Sequence, residues 1–241
     1  MQERIWERMA EGSETGTGAA GTGAAGTGAA GIGGKADAVG NADIVGKADA
    51  VGDADAAGTV RVLNLFAYTG GATLACAAAG ARVTHVDASK GMVQWAKENA
   101  RISELPKDAC RWLVDDCIKF VEREIRRGNH YDGIIMDPPS YGRGPKGEIW
   151  KLEDEIYSFL TLTEELLSDK PLFFLLNSYT TGLQSSVLSY LLNVTIRDKR
   201  GGRTEADEIG LPVQGREHRS SGEDISLILP CGASGRWVPE A

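Results

Sequence analysis

An α/β fold with a mostly parallel seven-stranded sheet and helices on both faces is predicted by three observations. From residue 59 onward, short apolar runs alternate with helix-length segments, the pattern of βαβ units joined by right-handed crossovers. Four consecutive runs end in a polar turn or an acid: Tyr68-Thr69-Gly70-Gly71, Asp87, Asp115-Asp116 and Asp137. The chain then finishes on two further strand-like segments, TEADEIGLPV and DISLILP, which suit an antiparallel hairpin at the sheet edge.

The residues ahead of this pattern stand apart. Residues 1–11 are charged and carry no apolar core, so they are no secretory signal and read as a short helix remnant. Residues 12–58 are a low-complexity Gly/Ala tract: TGAAG repeats with a period of five, then four hexapeptides, KADAVG, NADIVG, KADAVG and DADAAG. A hexapeptide β-helix would bury one aliphatic residue per turn, but Asp43 and Asp49 would fill its second inward position, and so few turns close no core. Glycine, alanine and scattered charge bury too little to offset ordering entropy, so a disordered linker is expected. Residues 59–241 are expected to form one folded domain.

Within that domain, Val60 to Phe66 is the first strand and Gly71 to Ala79 a small-residue helix closed by Gly80. Val83 to Asp87 is the second strand. Ser89 is placed to cap the next helix, whose Met92, Trp95, Ala96 and Asn99 fall at helical spacing. CRWLVDD supplies a third strand and CIKFVEREIRRG a helix ended by Gly128. Gly133 to Met136 has no helical stripe and no room for one before Pro138 and Pro139, so it reads as a buried parallel strand. LEDEIYSFLTLTEELLS gives a helix with Tyr157 and Phe159 read as core, and PLFFLLNS a fifth strand.

Composition narrows the classes. The 241 residues suit one or two domains, and a hydrophobic content of 42% is enough for a sizeable core. A formal net charge of -8 disfavours coating nucleic acid by charge alone, while leaving room for a local basic patch. Cys76, Cys110, Cys117 and Cys231 show no C-x-x-C spacing and read as reduced thiols, and no stretch nears the ~18 apolar residues of a membrane span. A soluble, cytoplasmic protein is expected, with no membrane partner and no metal ligands. Its oligomeric state is not legible.

The carboxyl edge of a parallel sheet is where ligands bind, and Asp137 sits there, at the end of its strand. An Asp-Pro exit is also an ordinary turn. Asp87, about twenty residues past the glycine turn, is placed to accept from ribose hydroxyls. A nicotinamide dinucleotide would need G-x-G-x-x-G for its pyrophosphate, whereas Asn64, Phe66 and Tyr68 stand where small residues are wanted. Such a loop suits a nucleoside cofactor without phosphates, S-adenosylmethionine.

Six segments carry a resemblance: LNLFAYTGGATLACAAAGA, HVDASKGMVQWAKENA, LVDDCIKFV, DPPSYGRGPKGEIWKLED, LLNSYTTGL and LPCGASGRW. Together, over residues 60 to 238, the chain resembles the class I S-adenosylmethionine-dependent methyltransferases related to the bacterial 23S rRNA cytosine methyltransferases. The resemblance implies a Rossmann-like class I methyltransferase fold. It also implies that Asn64, Phe66, Tyr68, Thr69, Gly70 and Gly71 hold the methionine moiety. Asp87 would bind ribose, with Ser89 either beside it or serving only as a cap, and Asp116 with Cys117 would flank the adenine. Asp137, Pro138, Pro139 and Tyr141 would form the catalytic junction.

The departures are informative. Asn64 replaces the usual acid, and Phe66 and Tyr68 replace glycines of D-x-G-x-G-x-G. Cytosine C5 methylation needs a thiolate adding at C6, yet the loop NSYTTG holds no cysteine, and Cys231 reads as a packed thiol. Larger members carry an amino-terminal substrate domain, so a truncated or interrupted member is expected. For substrate, Arg143, Lys146 and Lys151 gather around Tyr141 and Trp150, cations for phosphate and rings for bases, which suits single-stranded RNA. An ordinary solvated loop is the plainer reading. Arg126 and Arg127 would add charge, or merely complement a helix dipole. The expected activity is methylation of an RNA base, with rRNA as substrate. The alternatives are a protein or small-molecule methyltransferase, or a cofactor- or RNA-binding remnant without catalysis.

Overall fold

The computed structural model describes residues 58–143, 149–213 and 228–240; the expectations for residues 1–11 and for nearly all of 12–58 lie outside them. The chain runs β1 (Arg61–Leu65), α1 (Gly71–Ala78), β2 (Arg82–Asp87), α2 (Lys90–Ile102), β3 (Cys110–Val114), α3 (Cys117–Arg127) and β4 (Gly133–Met136). A small hairpin, β5 (Tyr141–Arg143) and β6 (Ile149–Lys151), leads into α4 (Leu152–Glu164) and β7 (Phe173–Ser178). Helix α5 (Ser185–Leu192) continues through a π-helical turn, Asn193–Arg197, to a last turn at Asp198–Arg200, before β8 (Arg203–Pro212) and β9 (Ile228–Val238).

The main sheet has seven strands in the order β3-β2-β1-β4-β7-β9-β8. Its first five strands are parallel, and β9 lies antiparallel between β7 and β8. The chain therefore steps outward from β1 to β3 and returns to β4 on the other side of β1. That reversal opens a crevice at the carboxyl ends of β1 and β4, the place where open α/β sheets bind ligands.

Local chemistry explains the elements. All four residues of β4 are buried, and its glycine is required by close approach, since a Cβ at Gly133 would meet the Phe173 ring at 2.5 Å. Asp116 caps α3 by accepting from Lys119 N at 2.9 Å, and Gly128 ends that helix in the left-handed region. Glu124, fully buried on α3, accepts from Tyr131 Oη at 2.7 Å and Asn129 Nδ2 at 2.9 Å and pairs with Arg111 and Arg127. Its charge is buried but satisfied, and it fastens α3 to the start of β4. No helix among the described residues is long and apolar enough to cross a membrane.

Four expectations are corrected. Helix α2 buries Val93 and Ala96 and leaves Trp95 55% exposed, because a small residue must face the turn after β1. Tyr157 is exposed whereas Phe159 is core. The final strand does not stop at Pro230 but runs through Gly232 and Gly235 to Val238, because α5 presses on it: a Cβ at Gly235 would meet Leu192 Cδ1 at 2.9 Å and Leu188 Cβ at 3.1 Å. Last, the hairpin β5–β6 occupies part of what reads as an open loop.

Candidate functional site

The turn after β1 is wound tightly: Phe66 has φ 55°, Tyr68 φ 48° and Gly70 φ 87°, all in the left-handed region. Gly70 leaves no space for a side chain, since a Cβ would lie 3.0 Å from Ala96 Cβ and 3.2 Å from Leu74 Cδ1. Two carbon-lined walls thus bring α1 and α2 against the backbone where a ligand would rest. Asp87 fixes this turn from the next strand. Its Oδ2 accepts from Tyr68 N at 2.9 Å and its Oδ1 from Ser89 N at 2.8 Å. Each carboxylate oxygen has two lone pairs, so both keep capacity for ribose hydroxyls. Asn99 Nδ2 donates to Thr69 O at 3.0 Å, holding the far side of the turn to α2. Ser89 also caps α2, accepting from Met92 N at 3.4 Å. Gly71, the first residue of α1, is exposed.

Beneath the turn lies a polar network that sequence reasoning missed. Asn64 is buried and donates to Thr73 Oγ1 at 2.9 Å, and the same hydroxyl lies 2.9 Å from His85 Nδ1. Burial lowers the His85 pKa to about 4, with Asp87 opposing and Lys97 assisting, so the imidazole is neutral at physiological pH. The parallel register Asn64↔His85 makes the pair adjacent, a signal visible only once the strands are aligned. Cys117 is buried too; its Sγ accepts from Phe66 N at 3.4 Å, and burial pushes the thiol pKa well up. Asn64 and Cys117 therefore support the turn from below, while the exposed Asp116 stands at the crevice rim on the carboxyl side of β3.

On the other side of the crevice, Asp137 N donates to Leu65 O at 3.4 Å, continuing the β1–β4 ladder. Its Oδ1 is buried with no hydrogen-bond partner among the described residues, and burial raises the carboxyl pKa. Pro138 is buried and Pro139 exposed; the Pro139 carbonyl accepts from Trp150 Nε1 at 2.7 Å. Trp150 packs 5.6 Å from the Phe66 ring and 6.0 Å from Phe159, so it braces the turn after β1 rather than offering a free stacking face. Tyr141 is 49% exposed and is the direct cross-strand partner of the exposed Lys151. Arg143 lies on β5, and Lys146 lies outside the described residues. Arg127 is engaged with Glu124 at 3.0 Å, away from the crevice.

A glycine turn with a ribose-placed acid, opposite Asp-Pro-Pro at the switch point of a seven-stranded sheet with one antiparallel strand, defines a class I methyltransferase. The chain belongs to the S-adenosylmethionine-dependent methyltransferase family, which it matches over residues 38–188. A solved S-adenosylmethionine-dependent methyltransferase from Agrobacterium tumefaciens is 40% identical, with a TM-score of 0.67 over 76% of this chain and 56% of that one. Two curated relatives are named ribosomal RNA large subunit methyltransferase K/L. That of Shewanella sp. (strain MR-4) is 37% identical over 90 residues, 36% of this chain and 13% of the relative. That of Pseudoalteromonas translucida (strain TAC 125) is 32% identical over 110 residues, 45% of this chain and 15% of the relative. The chain thus spans well under a quarter of the length of these curated relatives.

Proposed function

We propose that this domain methylates a nitrogen of an RNA base, with ribosomal RNA as the substrate. One observation carries the reading: a buried carboxylate oxygen of Asp137, without a partner among the described residues, at the switch-point edge where β4 lies beside β1. A buried acceptor left unpaired is costly, and an N–H donor from the substrate would satisfy it. The names of the curated relatives support RNA as the substrate class.

The residues fit S-adenosylmethionine: a cradle at Gly70 that a Cβ would fill, Asp87 with acceptor capacity to spare, and no pyrophosphate-binding G-x-G-x-x-G. When bound, S-adenosylmethionine supplies an electrophilic methyl group on a sulfonium. Asn64 through Gly71 and Asp87 would hold it, with Asp116 at its adenine end. Asp137 Oδ1 would accept a hydrogen bond from the acceptor nitrogen, aim its lone pair, and take the proton that this nitrogen loses. The burial that raises the Asp137 pKa makes it a better proton acceptor than an exposed carboxylate. Pro138 and Pro139 would fix the backbone beside the carboxylate, so positioning would supply most of the acceleration.

For attack through carbon the candidate nucleophile is Cys231, half-buried on β9. The segment Asn177 to Gly182 contains no cysteine, and the Cys231 thiol donates to Leu229 O at 3.3 Å. Mass spectrometry of nucleosides from rRNA of a strain lacking the gene, before and after treatment with the purified protein and S-adenosylmethionine, tests the proposal. The expected result is one N-methylated base restored, with Cys231→Ser retaining most activity. A 5-methylcytosine product, lost in Cys231→Ser and accompanied by trapping of fluorocytosine-containing RNA, would overturn the nitrogen assignment.

A further inference from the structure

Tyr179 belongs to none of the contacts described so far, yet it stands at the same edge. Strands β4 and β7 pair in register up to Met136↔Leu176, so the chain leaves β7 beside Asp137. The two exits are tied together, with Thr180 Oγ1 donating to Ser140 Oγ at 2.6 Å. Tyr179 is 54% exposed. Its ring nevertheless has a firm backing in Gly232 of β9, where an added Cβ would lie 2.9 Å from Tyr179 Cδ1 and collide with the Ser178 carbonyl. A tyrosine with one ring edge close against glycine backbone and about half its surface exposed is held in place and still available. Burial raises the phenol pKa, and the charges of Asp137 and Cys231 raise it further.

We propose that Tyr179 is the aromatic wall of the acceptor site, stacking on a planar heteroaromatic ring whose N–H is held by Asp137 Oδ1. The inference rests on the acceptor reading above and adds to it the face by which the base is gripped. A lone carboxylate would recognise any amine. Paired with a fixed ring and with the Tyr141–Lys151 neighbours on the hairpin, it selects an unstacked nucleobase with a phosphate alongside. Single-stranded segments are thus favoured over duplex, in which both faces of the base are covered.

The test is equilibrium binding of a labelled single-stranded oligoribonucleotide by fluorescence anisotropy, with S-adenosylhomocysteine saturating and its own affinity measured by calorimetry. Tyr179→Ala and the volume-preserving Tyr179→Leu are expected to weaken RNA binding roughly tenfold, the scale of one base–aromatic stack. Tyr179→Phe should stay within about twofold of wild type, and all three should keep S-adenosylhomocysteine affinity within about twofold, because stacking needs the ring and not the hydroxyl. RNA binding unchanged in both Tyr179→Ala and Tyr179→Leu would overturn the role of the tyrosine alone. A parallel fall in S-adenosylhomocysteine affinity would assign it to the cofactor side instead. A wild-type chain that binds no RNA would overturn the acceptor reading and this wall with it.

Discussion

His85 has no exposed surface, and among the described residues only one of its ring nitrogens finds a partner. Its folded pKa of about 4 lies below the unfolded value of 6.5, so between these values the unfolded chain binds more protons. Stability contributed by the neutral imidazole is complete above pH 6.5 and is lost as pH falls toward 4, by up to about 3 kcal/mol. His85→Asn, which can still meet Thr73 and does not titrate there, is expected to flatten the melting-temperature profile over that window; an identical slope would remove His85 from the account. Asp137 works in the opposite sense. Its folded pKa is raised above the ordinary 3.8, so its charged form costs stability as pH rises beyond that value. Asp137→Asn should therefore melt higher than wild type at neutral pH, with the gain vanishing in acid. Methyl transfer should be lost, while cofactor affinity stays within a few-fold. Equal melting temperatures at neutral pH would contradict the burial cost, which is the cost expected of a site kept for function rather than stability.

At the scale of elements, the turn between β1 and α1 offers a paired comparison. Gly70→Ala places a Cβ at φ 87° and against Ala96, and is expected to cost about 1–3 kcal/mol of stability in urea denaturation and to weaken S-adenosylmethionine binding. Gly71→Ala meets open space inside the helix and should be neutral or stabilising by up to about 1 kcal/mol. If the two variants behaved alike, tight apposition of α1 and α2 would not matter. These glycines were legible because a strand running into Tyr-Thr-Gly-Gly has one sensible geometry, and β4 was legible because its residues are all apolar. Other elements were not. The expected last strand stops at Pro230, whereas β9 runs on to Val238 because it pairs with β7 on one side and β8 on the other, with Gly235 leaving room for Leu188 and Leu192. Trp150 and Tyr157 exchange their expected places, since helical or loop position alone does not say which ring faces Phe66. Asn64 reads as a cofactor residue, while its contacts under the turn run to Thr73 and, through it, His85, partners that only folding brings close.

For the whole molecule, the question is whether the described sheet is self-sufficient where the repeat tract meets it. The start of β1 has its polar groups satisfied from within the sheet. Arg61 N donates to Asp132 Oδ2 at 2.8 Å, Asp132 N to Arg61 O at 2.8 Å, and Arg82 N to Val60 O at 2.8 Å. The first core residues, Val62 and Leu63, are already fully buried among the described residues, and Val60, just ahead of them, is half-buried against the same cluster as Val62. Gly-Ala repeats with scattered charge have little apolar surface to give in any case. Deleting residues 12–58 is therefore expected to shift the melting temperature by less than about 2 °C, which for a chain of this size corresponds to under ~1 kcal/mol. Calorimetric affinity for S-adenosylmethionine should likewise hold, because every residue assigned to its cradle follows residue 58. A fall of about 10 °C would show that the tract packs on the domain and that its hexapeptides form part of the fold; a loss of cofactor binding at unchanged melting temperature would place some of the tract over the crevice.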